Sequence, residues 1–205
     1  MSYCNWASGE RILRDYHDTE WGVPVRDDKR QFEYLMLEAM QSGLSWLTVL
    51  KKREIFRASF DGFDFERIAE YGEGDVARIM STERIIRSEP KIRAVINNAK
   101  RFVDLRQEFG SFSDYLWSYT DGKSIIYNGH ADGYIPNSNG LSDRIAKDLK
   151  SRGFKYIGSV TVYSHLQACG IINDHSKDCP RYAYITERFE CVTKSPDNEH
   201  NVVKY

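Results

Sequence analysis

Apolar and polar positions alternate at helical spacing over most of this chain. The stretch "DDKRQFEYLMLEAMQ" opens on aspartates suited to capping a helix and continues with apolar residues on a repeating face. Gly43 interrupts the pattern and Ser45 caps a second run, "WLTVLKKREIFRASF", so the pair predicts a helical hairpin with a short turn. "DFERIAEY", "EGDVARIMS", "KIRAVINNAKRFVDLRQEFG", "SFSDYLWSY" and "LSDRIAKDLKSRG" behave alike, each begun or ended by Ser, Asp, Gly or Pro. The segment "TDGKSIIYNGHADGYIPNSNGLSD" is rich in Gly, Asn and Asp and lacks periodicity, which reads as an irregular surface loop. The expectation is an all-α protein. One compact helical unit spans 1–180, with room for two lobes, and a tail over 181–205 has no role assigned by the pattern.

One position violates the pattern. Glu38 sits in "YLMLEAM", where every neighbour is apolar, and an unpaired buried carboxylate costs several kcal/mol or takes up a proton. Either its side chain escapes to solvent or it has a chemical task.

Charge narrows the choice of partner. With 29 basic against 30 acidic residues, net −1, the protein has no overall cationic field, so any nucleic-acid binding is local or relies on backbone amides. The start shows no basic leader followed by an apolar stretch, and no run reaches the roughly 18 apolar residues of a membrane span. A soluble, cytoplasmic protein with no membrane partner is expected. In a reducing compartment, Cys4, Cys169, Cys179 and Cys191 pose a question of metal ligation rather than of disulfides.

Cys4 and His17 near the start, with His175 and Cys179 in "HSKDC", make a chemically sensible tetrahedral zinc set; the alternative is four incidental side chains. If the metal is bound, all four positions are filled by protein, the closed arrangement of a structural site. Trp6, Tyr16, Trp21 and Trp46 crowd the same region, either as aromatic packing, for Trp21 around the metal, or as walls of a cage for a flat cation completed by a carboxylate. "GFKYIG" predicts a hairpin feeding a helix that starts at Ser159, either an ordinary αα-hairpin or a set of amides aimed at an anion.

The blocks "CNW", "YHDTEWGVP", "LEAMQSGLSWLTVLKKRE", "FDFERIAE", "IIRSEPKIRAVINNAKRF" and "GFKYIGSVTVYSHLQACGIINDH", in this order, closely resemble the DNA-3-methyladenine glycosylase I family of the helix-hairpin-helix glycosylase superfamily. The resemblance runs from Cys4 to Cys179. It implies a helix-hairpin-helix bundle in which one structural zinc, held by Cys4, His17, His175 and Cys179, clasps the N- and C-terminal regions together. It implies a monofunctional base-excision enzyme, a monomer, that acts on alkylated double-stranded DNA and releases free 3-methyladenine. Glu38 becomes the catalytic and base-binding carboxylate, with Trp6, Tyr16 and Trp46 around the base and Trp21 joining them or the metal. Leu44, beside Gly43, is expected to wedge into the gap left by the flipped nucleotide. Gly158, Ser159 and Lys155 are expected at phosphates, with Lys91 and Arg93 as further contacts.

Some positions depart from the family. Leu13 stands where better-known members carry an aromatic, which opens the alternative of a different alkylated or deaminated purine. Asp174 lies where related glycosylases place a catalytic Asp, yet it neighbours a proposed metal ligand. No lysine is placed by motif as a Schiff-base nucleophile, which favours simple hydrolysis. A catalytically silent DNA-binding module is the remaining alternative.

Overall fold

The computed structural model describes residues 4–196. Helix α1 (Arg11–Thr19) leads by a loop into α2 (Asp28–Gln41), whose cap Asp27 accepts the Arg30 amide at 2.8 Å. After Gly43, at φ +76°, Ser45 caps α3 (Trp46–Lys51) by accepting the Thr48 amide at 3.2 Å. The long second helix expected here is two helices, because Lys52 leaves helical geometry (φ −108°, ψ 1°) before α4 (Arg53–Ser59) begins. The break accompanies the burial of Arg53. Its guanidinium makes two 2.7 Å bonds to Glu20 and a third, also 2.7 Å, to Glu33. Buried charges persist only when paired and hydrogen-bonded in this way.

The short helices α5 (Phe65–Ala69) and α6 (Glu73–Ser81) precede the long α7 (Glu89–Phe109), and α8 (Phe112–Ser118) follows it. Asp28 at the start of α2 accepts the Phe112 and Ser113 amides at 3.2 and 2.9 Å, tying two helix N-termini together. Between these helices lies an aromatic core in which Phe32, Phe102 and Phe112 are fully buried and the last two stack with centroids 4.3 Å apart. Each such ring contributes roughly 1.5–3 kcal/mol of burial.

The all-α expectation fails in one place. "SIIY" is not surface loop but strand β1 (Ser124–Tyr127), with Ser124, Ile125 and Tyr127 buried. Helices α9 (Gly140–Ser151), α10 (Ser159–Ala168) and α11 (Pro180–Arg188) come next, and then β2 (Cys191–Lys194) pairs with β1 in parallel, Ser124 opposite Cys191. On its other edge β1 holds the chain after α10: the Ile125 amide donates to Ile171 O at 2.7 Å and the Asn173 amide to Ile125 O at 2.9 Å. The residues that lead to His175 are therefore anchored to a sheet. Residues 191–194 of the expected tail complete it, and the rest of that tail from 197 on lies outside the described residues.

The hairpin between α9 and α10 is present and is pinned from α7. The buried amide of Asn98 donates to Lys155 O at 2.9 Å and accepts the Lys155 amide at 2.8 Å, while Asn97 donates to Gly153 O at 2.9 Å.

Candidate active site and metal cluster

Glu38 lies on the last turn of α2, buried, and its carboxylate makes no hydrogen bond or ion pair with any described residue. It lines a cleft of about 210 Å³ between the turn Gln41–Leu44 and the first half of α10, where Val160, Thr161 and Ser164 face it. Burial alone pushes the Glu38 carboxyl up to about 8. Tyr16 is close enough that the Glu38 charge adds to the burial that raises its hydroxyl far above the ordinary value. Its ring lies 5.3 Å from Trp46 and 6.2 Å from the partly exposed Trp6, so three of the four aromatics singled out above form one row. Leu13 packs half-buried against the core. None of the three rings is among the residues that line the cleft, and Tyr16 is tied to it through the charge of Glu38.

The fourth aromatic, Trp21, meets Trp6 edge-on at 5.0 Å and carries the row on to the histidines. Its ring stacks on His17 at 6.0 Å and meets His175 edge-on at 4.6 Å. These histidines converge with Cys4 and Cys179: the four ligand atoms lie within 4.8 Å of one another, and all four residues are buried. Cys4 Sγ is 3.7 Å from His175 Nδ1, and Cys179 Sγ is 3.6 Å from His17 Nε2 and 3.8 Å from His175 Nδ1. A tetrahedral zinc with bonds of about 2.0–2.3 Å needs its donor atoms roughly 3.3–3.8 Å apart, so these residues fit the ion.

The surroundings prepare the donors. His17 Nδ1 lies 2.7 Å from Asp18 Oδ1 and His175 Nε2 lies 3.1 Å from Trp21 O, acceptors that take the ring protons and leave the other nitrogens free to ligate. Ser176 donates its amide to Cys4 Sγ at 3.3 Å. The Cys4 thiol, followed by the two imidazoles, draws Cys179 down into thiolate form, while its bond to Cys179 and burial push Cys4 up. At Gly22, with φ +78°, an added Cβ would stand 2.7 Å from His175 Nε2, so only glycine permits this approach of the loop to the ligand.

Asp174 is set apart from the cleft. Its carboxylate is buried and bonded to His130 Nδ1 at 2.7 Å, the Tyr163 hydroxyl at 2.7 Å and Gln167 Nε2 at 2.8 Å. These bonds fix the residue before His175. Asp174 is not among the residues that line the cleft.

The surface around the cleft carries exposed Leu44 on the Gly43 turn, with exposed Val160 and Tyr156 opposite. Gly158 caps α10 and Ser159 begins it, so the first amides of that helix lack intrahelical acceptors. The Lys155 side chain has no ion pair among the described residues. Arg93 instead grips Glu73 at 2.7 and 2.6 Å and Glu89 at 2.8 Å, and Lys91 is bound to backbone carbonyls. Asn97, Asn98 and Arg53 lie within the blocks that carry the family resemblance, but the sequence assigns them no role. Their partners lie far along the chain, and only the fold shows their work.

Residues 6–182 match the family described as methyladenine glycosylase. The chain is 43% identical over 182 residues to DNA-3-methyladenine glycosylase 1 of Escherichia coli (strain K12), which covers 89% of this chain and 97% of that protein. Among solved structures it is similar to a 3-methyladenine DNA glycosylase I crystal structure, with a TM-score of 0.83, 46% identity and coverage of 87% and 98% of the two chains. It is also similar to the Staphylococcus aureus glycosylase I whose structure concerns 3-methyladenine recognition, with a TM-score of 0.82, 38% identity and coverage of 88% and 96%. Descent agrees with geometry: the chain belongs to the methyladenine glycosylase family.

Proposed function

We propose that the protein hydrolyses the N-glycosidic bond of 3-methyladenine in alkylated duplex DNA, drawing the nucleotide from the stack and seating its base beside Glu38. The observation that carries this reading is the buried, unpartnered Glu38 carboxylate facing the cleft. An adenine methylated at N3 is cationic while attached to the sugar. Entering the cleft, it relieves the unfavourable ionisation of Glu38, whereas neutral adenine brings no such relief. Trp6, Tyr16 and Trp46 are the aromatic walls in this scheme, and Trp21 backs the metal ligands.

In the reaction, the bond from the sugar C1′ to the base breaks and its electron pair neutralises the departing base. Water bonds to C1′ and gives up a proton, which passes to solvent, so the positive charge of the alkylated nucleotide leaves as that proton. Glu38 holds the cationic base and orients the attacking water, and the alkylated base is already a good leaving group. Asp174, held by its three partners, serves the metal loop and not this step.

Zinc held by Cys4, His17, His175 and Cys179 would supply structure rather than chemistry, because the protein fills every coordination position. On the DNA side, Leu44 on the Gly43 turn fills the gap left by the flipped nucleotide, and the amides near Gly158 and Ser159 hold phosphate with Lys155.

The test is release of free bases from N-methylated duplex DNA, with 3-methyladenine separated from 7-methylguanine. Wild type should release 3-methyladenine selectively, and Glu38→Gln should slow it at least about tenfold. No release by folded, zinc-replete wild type would overturn the proposal.

A further inference from the structure

Lys91, in the first turn of α7, is a basic residue beside the cleft, and such residues usually meet phosphate. Its contacts here are different. The ammonium donates to Met40 O at 2.9 Å and to Ser42 O at 2.6 Å. These carbonyls belong to the end of α2, where the helix leaves acceptors unmatched and presents the negative end of its dipole. Among the described residues no carboxylate pairs with the ammonium, and partial burial lowers the lysine's pKa.

The turn that follows is closed by one short backbone bond, the Leu44 amide to Gln41 O at 2.6 Å, and that bond ties it only to the end of α2 itself. Around Gly43 there is open space, Leu44 is 39% exposed, and the Ser42 amide reaches Ala39 O only at 3.5 Å. Two helical turns beyond Lys91, on the same face of α7, Asn98 pins the Lys155 backbone of the opposite hairpin. One face of α7 therefore grips both sides of the cleft.

We infer that Lys91 is a positioning residue for DNA binding: its ammonium clamps the end of α2 to α7 and so holds the Leu44 turn at a fixed distance from the Gly158 hairpin. The inference rests on the reading of Leu44 as the DNA wedge. A wedge already ordered loses less freedom when it inserts, so the clamp acts on DNA affinity and leaves the base pocket alone.

The test compares wild type, Lys91→Met, Leu44→Ala and the double variant in the full-length protein. Each is titrated with duplex DNA carrying an abasic-site analogue at several salt concentrations, with free 3-methyladenine by tryptophan fluorescence, and melted. Lys91→Met should weaken abasic-duplex binding about tenfold with an unchanged salt slope and unchanged free-base affinity, and the loss should vanish in the Leu44→Ala background. A salt slope reduced by about one, with the loss persisting without Leu44, would make Lys91 a phosphate contact and overturn the inference. Unchanged DNA affinity would overturn it too. Should Lys91→Met fail to fold, Lys91→Gln, which keeps a donor but no charge, takes its place. If wild type binds the abasic duplex yet releases no 3-methyladenine, the glycosylase reading falls while the Lys91 coupling stands.

Discussion

Glu38 titrates far from where an exposed glutamate does, and that has a measurable sign. Its folded-state pKa, about 8 against an ordinary 4.5, lies above the unfolded value, so the protonated carboxyl's contribution is fully present below about pH 4.5 and is lost as pH rises through 8. Urea unfolding of wild type and Glu38→Gln at pH 5 and pH 9 should show the variant gaining on wild type by on the order of 3–5 kcal/mol at the higher pH. A constant difference would place the carboxylate in solvent. At Gly22, the contact a Cβ would make with His175 predicts that Gly22→Ala binds less metal and melts lower, by metal analysis and calorimetry. Glu38 was legible in the sequence because a lone charge in an apolar run is costly wherever the run is buried. Asn98 was not, because its importance comes from a backbone 57 positions away that no local pattern announces.

Elements were legible where their signal is local. Capping residues and helical periodicity located α2, α7, α9 and α10, but "SIIY" was hidden because a parallel partner gives no hairpin turn to recognise. Its partner strand begins at Cys191, and the segment between them contains three helices. Strand β2 takes up one edge of β1 through the Ser124 amide to Glu190 O and the Asn128 amide to Lys194 O, both at 2.9 Å, while the other edge anchors the approach to His175. Truncation after Arg188 should therefore lower Tm and speed zinc loss to a chelator, while fluorescence-detected affinity for free 3-methyladenine changes little. Unaltered chelation kinetics would show that the strand supports nothing beyond itself.

At the scale of the molecule, the family resemblance named four residues that the fold gathers into one cluster. It named them from chain positions as far apart as 4 and 179, and it also proposes a base pocket at Glu38 and a DNA-facing rim at Leu44. It left Trp21 between the other aromatics and the metal, and the fold sets it against both Trp6 and His175; the contacts of Lys91 with Met40 O and Ser42 O depend on which helix face meets which neighbour, and no motif announces them. Purified protein should carry about one zinc per chain, and Cys4→Ser should reduce both zinc content and Tm. With net charge −1 and amides as the main phosphate donors, the salt slope of duplex binding should correspond to only a few released counterions.

The cluster also sets an order of events during synthesis. Cys4 and His175 meet across 171 positions, so the first ligands leave the ribosome long before the last exist. At ordinary elongation rates of about 5–20 residues per second, that interval is roughly 10–35 s. A zinc held as proposed therefore enters last: Cys4 stays reduced and uncommitted through that interval, and metal insertion closes maturation after helices α1 to α10 have been made.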